Sequence, residues 1–248
     1  MNIFNLCDLS YFNPVGLKIA EFTLDNKTLL KYAIDVNNYK VCKNILTNIK
    51  KLSNNLIFSY IVEKNNNTLI QLFLNYIYDY KILDERDKFN NSPLNKAAKN
   101  GNLILCKYLV YNNVDILGDQ RNNNIKLNHT PLYDAVYSNN YNLVKFLLKN
   151  GAEPNIWSST GYGNIGSLPL HIAIENNNYK IAKLLILYGA NPKEDSIIYY
   201  SNYNITFKQN SPLYFAIKEK KIKFIKLFKY YCNSITYDYY LELKERFK

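Results

Sequence analysis

Residue types on which active sites and metal sites depend are scarce in this 248-residue chain. It has two histidines and one tryptophan, and only three of its 31 basic residues are arginine. The four cysteines lie far apart and form no Cys-x-x-Cys pair or Cys/His cluster, which indicates reduced thiols in a cytosol-like compartment. No run of about 18 uncharged apolar residues occurs, and the first residues lack a basic region followed by an apolar run. We therefore expect neither a transmembrane helix nor a secretory signal.

The residues that are abundant indicate a folded protein. Hydrophobic residues make up 48% of the chain and aromatic residues 15%, enough to bury a large core and to exclude a disordered chain. The net charge is +11, but Asn (39) and Tyr (24) are also in excess, and Lys, Asn, Ile, Tyr and Phe all have AT-rich codons. The charge is therefore a weak functional signal, and the scarcity of arginine argues against nucleic-acid binding.

One sequence block recurs along the chain. TPLYDA (130–135) aligns with five other segments: TLLKYA (28–33), LIFSYI (56–61), SPLNKA (92–97), LPLHIA (168–173) and SPLYFA (211–216). Counting from the start of each block, Asn, Gly or Lys follows nine residues in, and apolar residues follow thirteen and seventeen residues in. No gap is needed inside any unit. The recurrence predicts six copies of one structural unit.

Each unit predicts a pair of helices. The opening Thr or Ser is a good helix N-cap, and Pro fits the first helical position. The small Ala lets neighbouring helices approach closely, and Asn or Gly nine residues in tolerates a left-handed end to the first helix. A second, longer helix follows, as in LVKFLLKNG (143–151), and its apolar face is too wide for an isolated pair. That face must be buried against the next unit, as in a solenoid.

The segments 130–155 and 168–192 resemble ankyrin repeats, which begin with T-P-L-H-x-A and recur about every 33 residues. The resemblance implies an all-α fold: an ankyrin-repeat solenoid of stacked helix pairs with long β-hairpin finger loops. We predict an N-terminal cap at 1–27, about six repeats over 28–232 with starts at 28, 56, 92, 130, 168 and 211, and a C-terminal capping helix at 233–248. The long fingers would lie in the connectors 113–129, 151–167 and 189–210.

The sequence predicts no enzyme, cofactor site or metal site. It contains no GxGxxG, P-loop, HExxH or GxSxG motif, and the glycine-rich stretch 161–166 fits a finger tip. The resemblance gives His171 the structural role of tying hairpin to helix. Cys42 and Cys106 share one apolar repeat position, which favours packing over reactivity. The lysines of the run 218–231 fall on the solvent face of a packed helix, with a functional basic patch as the alternative.

Partner-binding residues are predicted at two places that the resemblance implies, the exposed ends of the first helices and the finger loops. The candidate residues are Lys99, Tyr137 and Glu175 on the helices, and His129, Trp157, Tyr162, Tyr199, Tyr200 and Tyr203 on the fingers. Aromatic residues on loops contribute strongly to interfaces. The alternative is that these rings fold back onto neighbouring fingers.

The expected function is that of a non-catalytic module that binds another protein. The divergent repeats and AT-rich composition resemble ankyrin proteins of poxviruses and other large DNA viruses. This resemblance implies a monomer in the host cytoplasm, or also the nucleus, that binds a host protein and no membrane. Residues 234–248 show no F-box-like core, so sequestration is favoured over recruitment of ubiquitin ligase. Two alternatives remain: nucleic-acid or nucleotide binding by lysines and finger aromatics, and a bacterial effector or substrate adaptor for ubiquitin ligase.

Overall fold

The structure is a computed structural model that describes residues 26–48, 56–77, 80–87, 89–118, 130–159, 166–194, 196–200, 205–209 and 211–232. The chain divides into two compact units, residues 1–85 and residues 86–248. The predicted C-terminal cap, and all but the last two residues of the predicted N-terminal cap, lie outside the described residues.

The first unit contains two helix pairs. Its helices are α1 (Asn26–Asp35), α2 (Tyr39–Asn48), α3 (Leu56–Lys64) and α4 (Asn67–Leu74), followed by a 3₁₀ helix at Tyr80–Asp84. The first helices of the pairs, α1 and α3, pack on each other, and so do the second helices, α2 and α4. Ile61 on α3 occupies the position that is Ala in the other five helix pairs, and it is fully buried. The pair formed by α3 and α4 therefore accommodates a branched side chain where the other pairs have the methyl group of alanine.

Four helix pairs stack in the second unit. The inner helices are α5 (Pro93–Lys99), α7 (Pro131–Tyr137), α9 (Pro169–Glu175) and α11 (Pro212–Lys218), and the outer helices are α6 (Leu103–Tyr111), α8 (Tyr141–Lys149), α10 (Tyr179–Leu187) and α12 (Ile222–Tyr231). Each inner helix packs on the next inner helix, and each outer helix on the next outer helix. The all-α solenoid of stacked helix pairs that the repeats predicted is confirmed.

The inner helices begin as their sequences require. Ser92, Thr130 and Ser211 cap α5, α7 and α11 by accepting a hydrogen bond from a backbone N–H three residues on, and Pro follows each of them. The alanines at the shared position of the inner helices are all buried with 0% exposure: Ala97, Ala135, Ala173 and Ala216. Their small side chains allow the close approach of neighbouring inner helices.

Two short β-hairpins connect pairs in the second unit. Strands β1 (Ser158–Ser159) and β2 (Gly166–Ser167) are antiparallel, with Ser158 opposite Ser167. Strands β3 (Ser196–Tyr200) and β4 (Ile205–Gln209) are also antiparallel and pair from Ser196–Gln209 to Tyr200–Ile205. These hairpins lie in the predicted finger connectors 151–167 and 189–210, which confirms the finger element of the fold.

Every inner turn between paired helices contains one residue with a positive φ. These residues are Asn37, Asn65, Gly101, Asn139, Asn177 and Lys220, with φ between 52° and 68°. Asn and Gly tolerate this left-handed conformation better than other residues do, because Gly has no Cβ and the short Asn side chain can hydrogen-bond locally. The predicted left-handed ends of the first helices are confirmed.

The residue after the left-handed turn caps the second helix in five of the six pairs and, at several turns, bridges to the preceding pair. Asn66, Asn140 and Asn178 accept a backbone N–H from three residues on through their side-chain oxygen. Their amide groups donate backwards: Asn66 to Asn37 Oδ1 (2.6 Å), Asn140 to the Gly101 carbonyl (3.0 Å) and Asn178 to Asn139 Oδ1 (2.6 Å). We call this series of caps and bridges the asparagine ladder.

The last pair departs from the ladder, and this departure predicts a stabilising substitution. Lys220 has φ of 52°, and Lys221 makes no side-chain cap to α12. We expect Lys221→Asn to raise the free energy of unfolding by about 1 kcal/mol, the usual value of an N-cap. Lys223→Asn, an exposed position inside the same helix, is the control and should not stabilise. Urea unfolding measures both, and equal stability of Lys221→Asn and the parent would contradict the prediction.

Candidate functional site

The ends of the inner helices in the second unit form a row of exposed side chains. Lys99, Tyr137, Glu175 and Lys218 are the last residues of α5, α7, α9 and α11, and all four are exposed. Tyr137 is 59% exposed although it is large and aromatic. Because adjacent inner helices pack side by side, the row runs across neighbouring helices. It presents a cation, a phenol, a carboxylate and a second cation in sequence.

Buried polar side chains connect two of the helices that carry this row. Asn95 on α5 donates to Asp134 on α7 (Nδ2 to Oδ2, 3.0 Å), and both side chains are buried. Asn95 also exchanges hydrogen bonds with Ser92, so the same amide caps its own helix. A buried polar pair with satisfied hydrogen bonds fixes orientation. These hydrogen bonds therefore fix α5 and α7, the helices that carry Lys99 and Tyr137, relative to each other.

His171 plays the equivalent role on α9. Its Nδ1 accepts a hydrogen bond from the Leu168 backbone N–H (3.4 Å), and its ring meets Phe215 edge-on with the ring centres 6.2 Å apart. The imidazole is buried. Leu168 has no hydroxyl that could accept a backbone N–H of the first turn, so α9 has only the half of a capping box that His171 supplies. Partial desolvation raises the pKa of the nearby Glu175 carboxyl on the same helix.

The first hairpin is anchored to the inner helices through its base. Ser158 is fully buried, and its Oγ accepts the Thr130 backbone N–H at 3.1 Å and lies 3.1 Å from the Thr130 hydroxyl. Asn155 forms a second tie by donating to the Gly189 carbonyl (2.9 Å) and accepting the Asn191 backbone N–H (2.8 Å). Trp157 lies between these two anchors and is half-buried. The backbone that carries the indole is therefore held on both sides.

Arg86, one of the three arginines, stabilises the segment that precedes α5. Arg86 pairs with Asp115 (3.0 Å) and donates to the Asn90 carbonyl (3.3 Å). Burial alone would raise the pKa of Asp87, but hydrogen bonds from the Asn91 and Phe89 backbone and the ion pair with Lys96 (3.1 Å) hold that pKa below its usual value. These contacts brace the segment that leads into α5.

The chemistry of the remaining candidate groups favours packing over reaction. Cys42 and Cys106 are buried, and desolvation raises the pKa of the Cys42 thiol to about 11 and that of Cys106 to about 12. Both thiols are therefore protonated and poor nucleophiles at neutral pH, which confirms their packing role.

Among the described residues, no group of three or more His, Cys, Asp or Glu side chains is arranged to hold a metal ion. None of the helices in those ranges has the length and apolar character needed to cross a bilayer.

Comparison with protein families identifies the repeats. One family model, described as ankyrin repeats (3 copies), matches residues 58–157, and a second, ankyrin repeats (many copies), matches residues 132–186. Together they span residues 58–186, just over half of the chain. The chain belongs to the ankyrin-repeat family. A sequence comparison with curated proteins found no match.

Ankyrin repeats are typically non-enzymatic scaffolds and serve as protein–protein interaction modules, and this general function applies to the chain. The family matches leave out the pairs that begin at 28 and 211. Both have the same helix–turn–helix geometry as the matched repeats, including the left-handed inner turn at Asn37 and Lys220. We therefore treat the boundaries 28–232 of the ankyrin array as a proposal that this geometry supports.

The structure describes the nine predicted binding residues to different extents. Lys99, Tyr137 and Glu175 are exposed and lie in one row, and Trp157 lies at the base of the first hairpin. The backbones of Tyr199 and Tyr200 belong to β3, opposite Thr206 and Ile205, but their side chains lie outside the described part of the structure. His129, Tyr162 and Tyr203 lie wholly outside it. The assignment of all nine residues to a binding site stays a prediction.

Sequence reasoning missed the contacts that position the site. The ties from Ser158 to Thr130 and from Asn155 to the next repeat join residues 28 to 36 positions apart. A signal existed for the asparagine ladder, because Asn stands ten residues into five of the six units: Asn38, Asn66, Asn102, Asn140 and Asn178. The signal for Ser158 is weaker, because only the unit that starts at 168 also has Ser at this offset, Ser196.

Proposed function

We propose that this ankyrin protein captures a protein partner on the surface formed by the inner-helix ends and the finger loops of residues 86–232. The observation that carries the proposal is the exposed row Lys99, Tyr137, Glu175 and Lys218 on braced helices. A rigid scaffold lowers the entropy cost of binding, and an exposed tyrosine between charged groups is a typical interface centre.

We further propose that the partner is a host cytosolic protein and that binding sequesters it. Support comes from the divergent repeats and AT-rich composition, which resemble viral ankyrin proteins, and from the lack of an F-box-like core in residues 234–248. On this view the protein is a monomer that acts in the host cytoplasm, with the nucleus as a second compartment, and modulates host defence.

Nucleic-acid binding has less support from the structure. Of the three arginines, Arg86 pairs with Asp115 and is therefore not presented to a phosphate. Arg121 and Arg246 lie outside the described residues. Lysine remains as a phosphate contact, but it lacks the bidentate geometry of arginine.

Affinity capture from host cytosol, followed by a binding measurement with the recovered protein, tests the proposal. The double variant Trp157→Ala/Tyr200→Ala and the single variant Tyr137→Ala should each weaken binding by about 2 kcal/mol, or roughly 30-fold, as truncation of interface hot spots does.

The matched controls remove exposed tyrosines elsewhere. Tyr39→Ala/Tyr80→Ala changes two exposed rings in the first unit, and Tyr141→Ala changes the first residue of the outer helix that follows Tyr137. These controls should bind as the parent does. Undiminished binding by the Trp157/Tyr200 variant would overturn the finger assignment, and undiminished binding by Tyr137→Ala would overturn the row.

A further inference from the structure

The outer helices of the second unit carry one sign of charge. Helices α6, α8, α10 and α12 contain eight lysines and no aspartate, glutamate or arginine: Lys107, Lys145, Lys149, Lys180, Lys183, Lys223, Lys226 and Lys229. Seven of these side chains are exposed, and Lys183 is half-buried. We call this surface the outer-helix face.

The acidic residues of the same unit lie elsewhere. Among the described residues from 86 to 232, all seven carboxylates are on inner helices or connecting segments: Asp87, Asp115, Asp134, Glu153, Glu175, Glu194 and Glu219. Codon bias accounts for an excess of lysine, but it does not separate the two signs of charge between faces, since the chain contains 20 acidic residues. The segregation is therefore a feature of the surface.

Local stability does not favour this arrangement. Lys145 and Lys149 are four residues apart on α8, and the lysines of α12 are three apart, so like charges are neighbours on each helix. The structure shows no ion pair between any of the eight lysines and a described carboxylate. A hydrogen bond with Tyr231 raises the pKa of Lys183, which keeps this lysine charged, and its Nζ lies 5.5 Å from the centre of that ring.

Four of the lysines form a column across the face. Lys107, Lys145, Lys183 and Lys226 occupy the same repeat position on four outer helices that pack in order. Helices in contact lie about 8–10 Å apart, so the column extends over about 25–30 Å. An extended peptide of about eight residues has the same length.

Apolar side chains flank the column at both ends of the helices. Ile104 and Ile222 are exposed at the starts of α6 and α12, and Tyr111, Leu187 and Tyr230 are exposed at or near the ends of α6, α10 and α12. A central basic band with apolar borders complements a segment that has carboxylates in its middle and apolar groups beside them.

We propose that the outer-helix face is a second docking surface, which binds an acidic segment of a protein. Lysine binds carboxylates and phosphates alike as a point charge, but the exposed aliphatic side chains Ile104, Leu187 and Ile222 favour a protein segment over a phosphate backbone. Along each outer helix the exposed apolar residues are interrupted by lysines, so no helix has the continuous apolar face of an interfacial membrane helix. At the helix starts, Tyr141 and Tyr179 form a row of exposed apolar side chains with Ile104 and Ile222. An acidic peptide with apolar side chains beside its carboxylates fits both this row and the lysine column. This surface is separate from the inner-helix row, so it can fail while the function proposed above stands.

Binding of a fluorescein-labelled polyglutamate peptide, measured by anisotropy with the full chain, tests the proposal. The test variant changes Lys107, Lys145, Lys183 and Lys226 to Gln, and the control variant changes four exposed lysines outside the face and the row, Lys31, Lys64, Lys81 and Lys220, to Gln. Both lose the same net charge. We expect the test variant to bind about tenfold more weakly than the parent, and the control less than about threefold more weakly.

Two outcomes would overturn the proposal. An equal loss in the two variants would show that peptide binding follows net charge alone. Tighter binding of oligothymidylate or of phosphatidylserine-containing vesicles than of polyglutamate, with the same dependence on the four lysines, would assign the face to nucleic acid or to lipid. Circular dichroism of both variants checks that they retain the helical content of the parent.

Discussion

Replacing Asn140 by alanine should lower the free energy of unfolding by about 2 kcal/mol. The side chain makes two separate contributions. Its Oδ1 caps α8 by accepting the Leu143 backbone N–H at 3.1 Å, and its Nδ2 donates to the Gly101 carbonyl of the preceding repeat at 3.0 Å. An N-cap contributes about 1 kcal/mol, and a hydrogen bond of this kind contributes about the same. Urea unfolding, analysed with a common m-value, measures the loss.

Two further variants separate the cap from the bridge. Asn140→Asp keeps an oxygen that can cap the helix but removes the donor to Gly101, so we expect about half of the loss. Asn142→Ala removes an exposed amide two residues further along α8, and it should change stability by less than about 0.5 kcal/mol. If Asn140→Asp were as stable as the parent, the bridge between repeats would contribute nothing.

The fold could be predicted because its main features are local. A Thr or Ser cap, a following Pro and an Asn in the left-handed turn each act within a few residues of their own position. Thr130, Pro131 and Asn139 therefore identify the start and end of α7 from the sequence alone. Six copies in one phase then predict the stack, since each apolar face needs a neighbour.

The connections between repeats could not be predicted in the same way. Asn140 reaches Gly101 across 39 positions, and Asn155 reaches Asn191 across 36. Such contacts depend on how far one pair is rotated and shifted against the next, and this geometry results from the packing of many side chains. Asn recurs ten residues into five of the six units, but this recurrence does not indicate which group the side chain binds.

The candidate site was predictable only in part, for a related reason. Repeat phase placed Lys99, Tyr137 and Glu175 at equivalent helix ends, and the structure has them exposed in one row. The identity of the partner is not encoded by packing, because exposed positions tolerate most residues without loss of the fold. The charge separation of the outer-helix face appeared only when the lysines of four helices were placed on one surface.

The largest effect on stability is expected from Leu185→Ala on α10. This side chain has 0% exposure, and α10 packs against both α8 and α12 as well as its own inner helix. Removal of a buried leucine costs the transfer free energy of the lost atoms and leaves a cavity, so we expect a loss of about 3 kcal/mol. Leu187→Ala, two residues away on the same helix, removes a side chain that is 57% exposed and should cost less than about 0.5 kcal/mol.

The position of α10 inside the stack also predicts how the Leu185 variant unfolds. Repeat proteins are stabilised by contacts between neighbours, so a cavity in α10 weakens its interfaces with the pairs on both sides. We expect amide hydrogen exchange to quicken in α7–α12 by more than in α5 and α6, whose interfaces are unchanged. Equal acceleration over the four pairs would show that the second unit unfolds as one cooperative block, and the nearest-neighbour account of its stability would then be wrong.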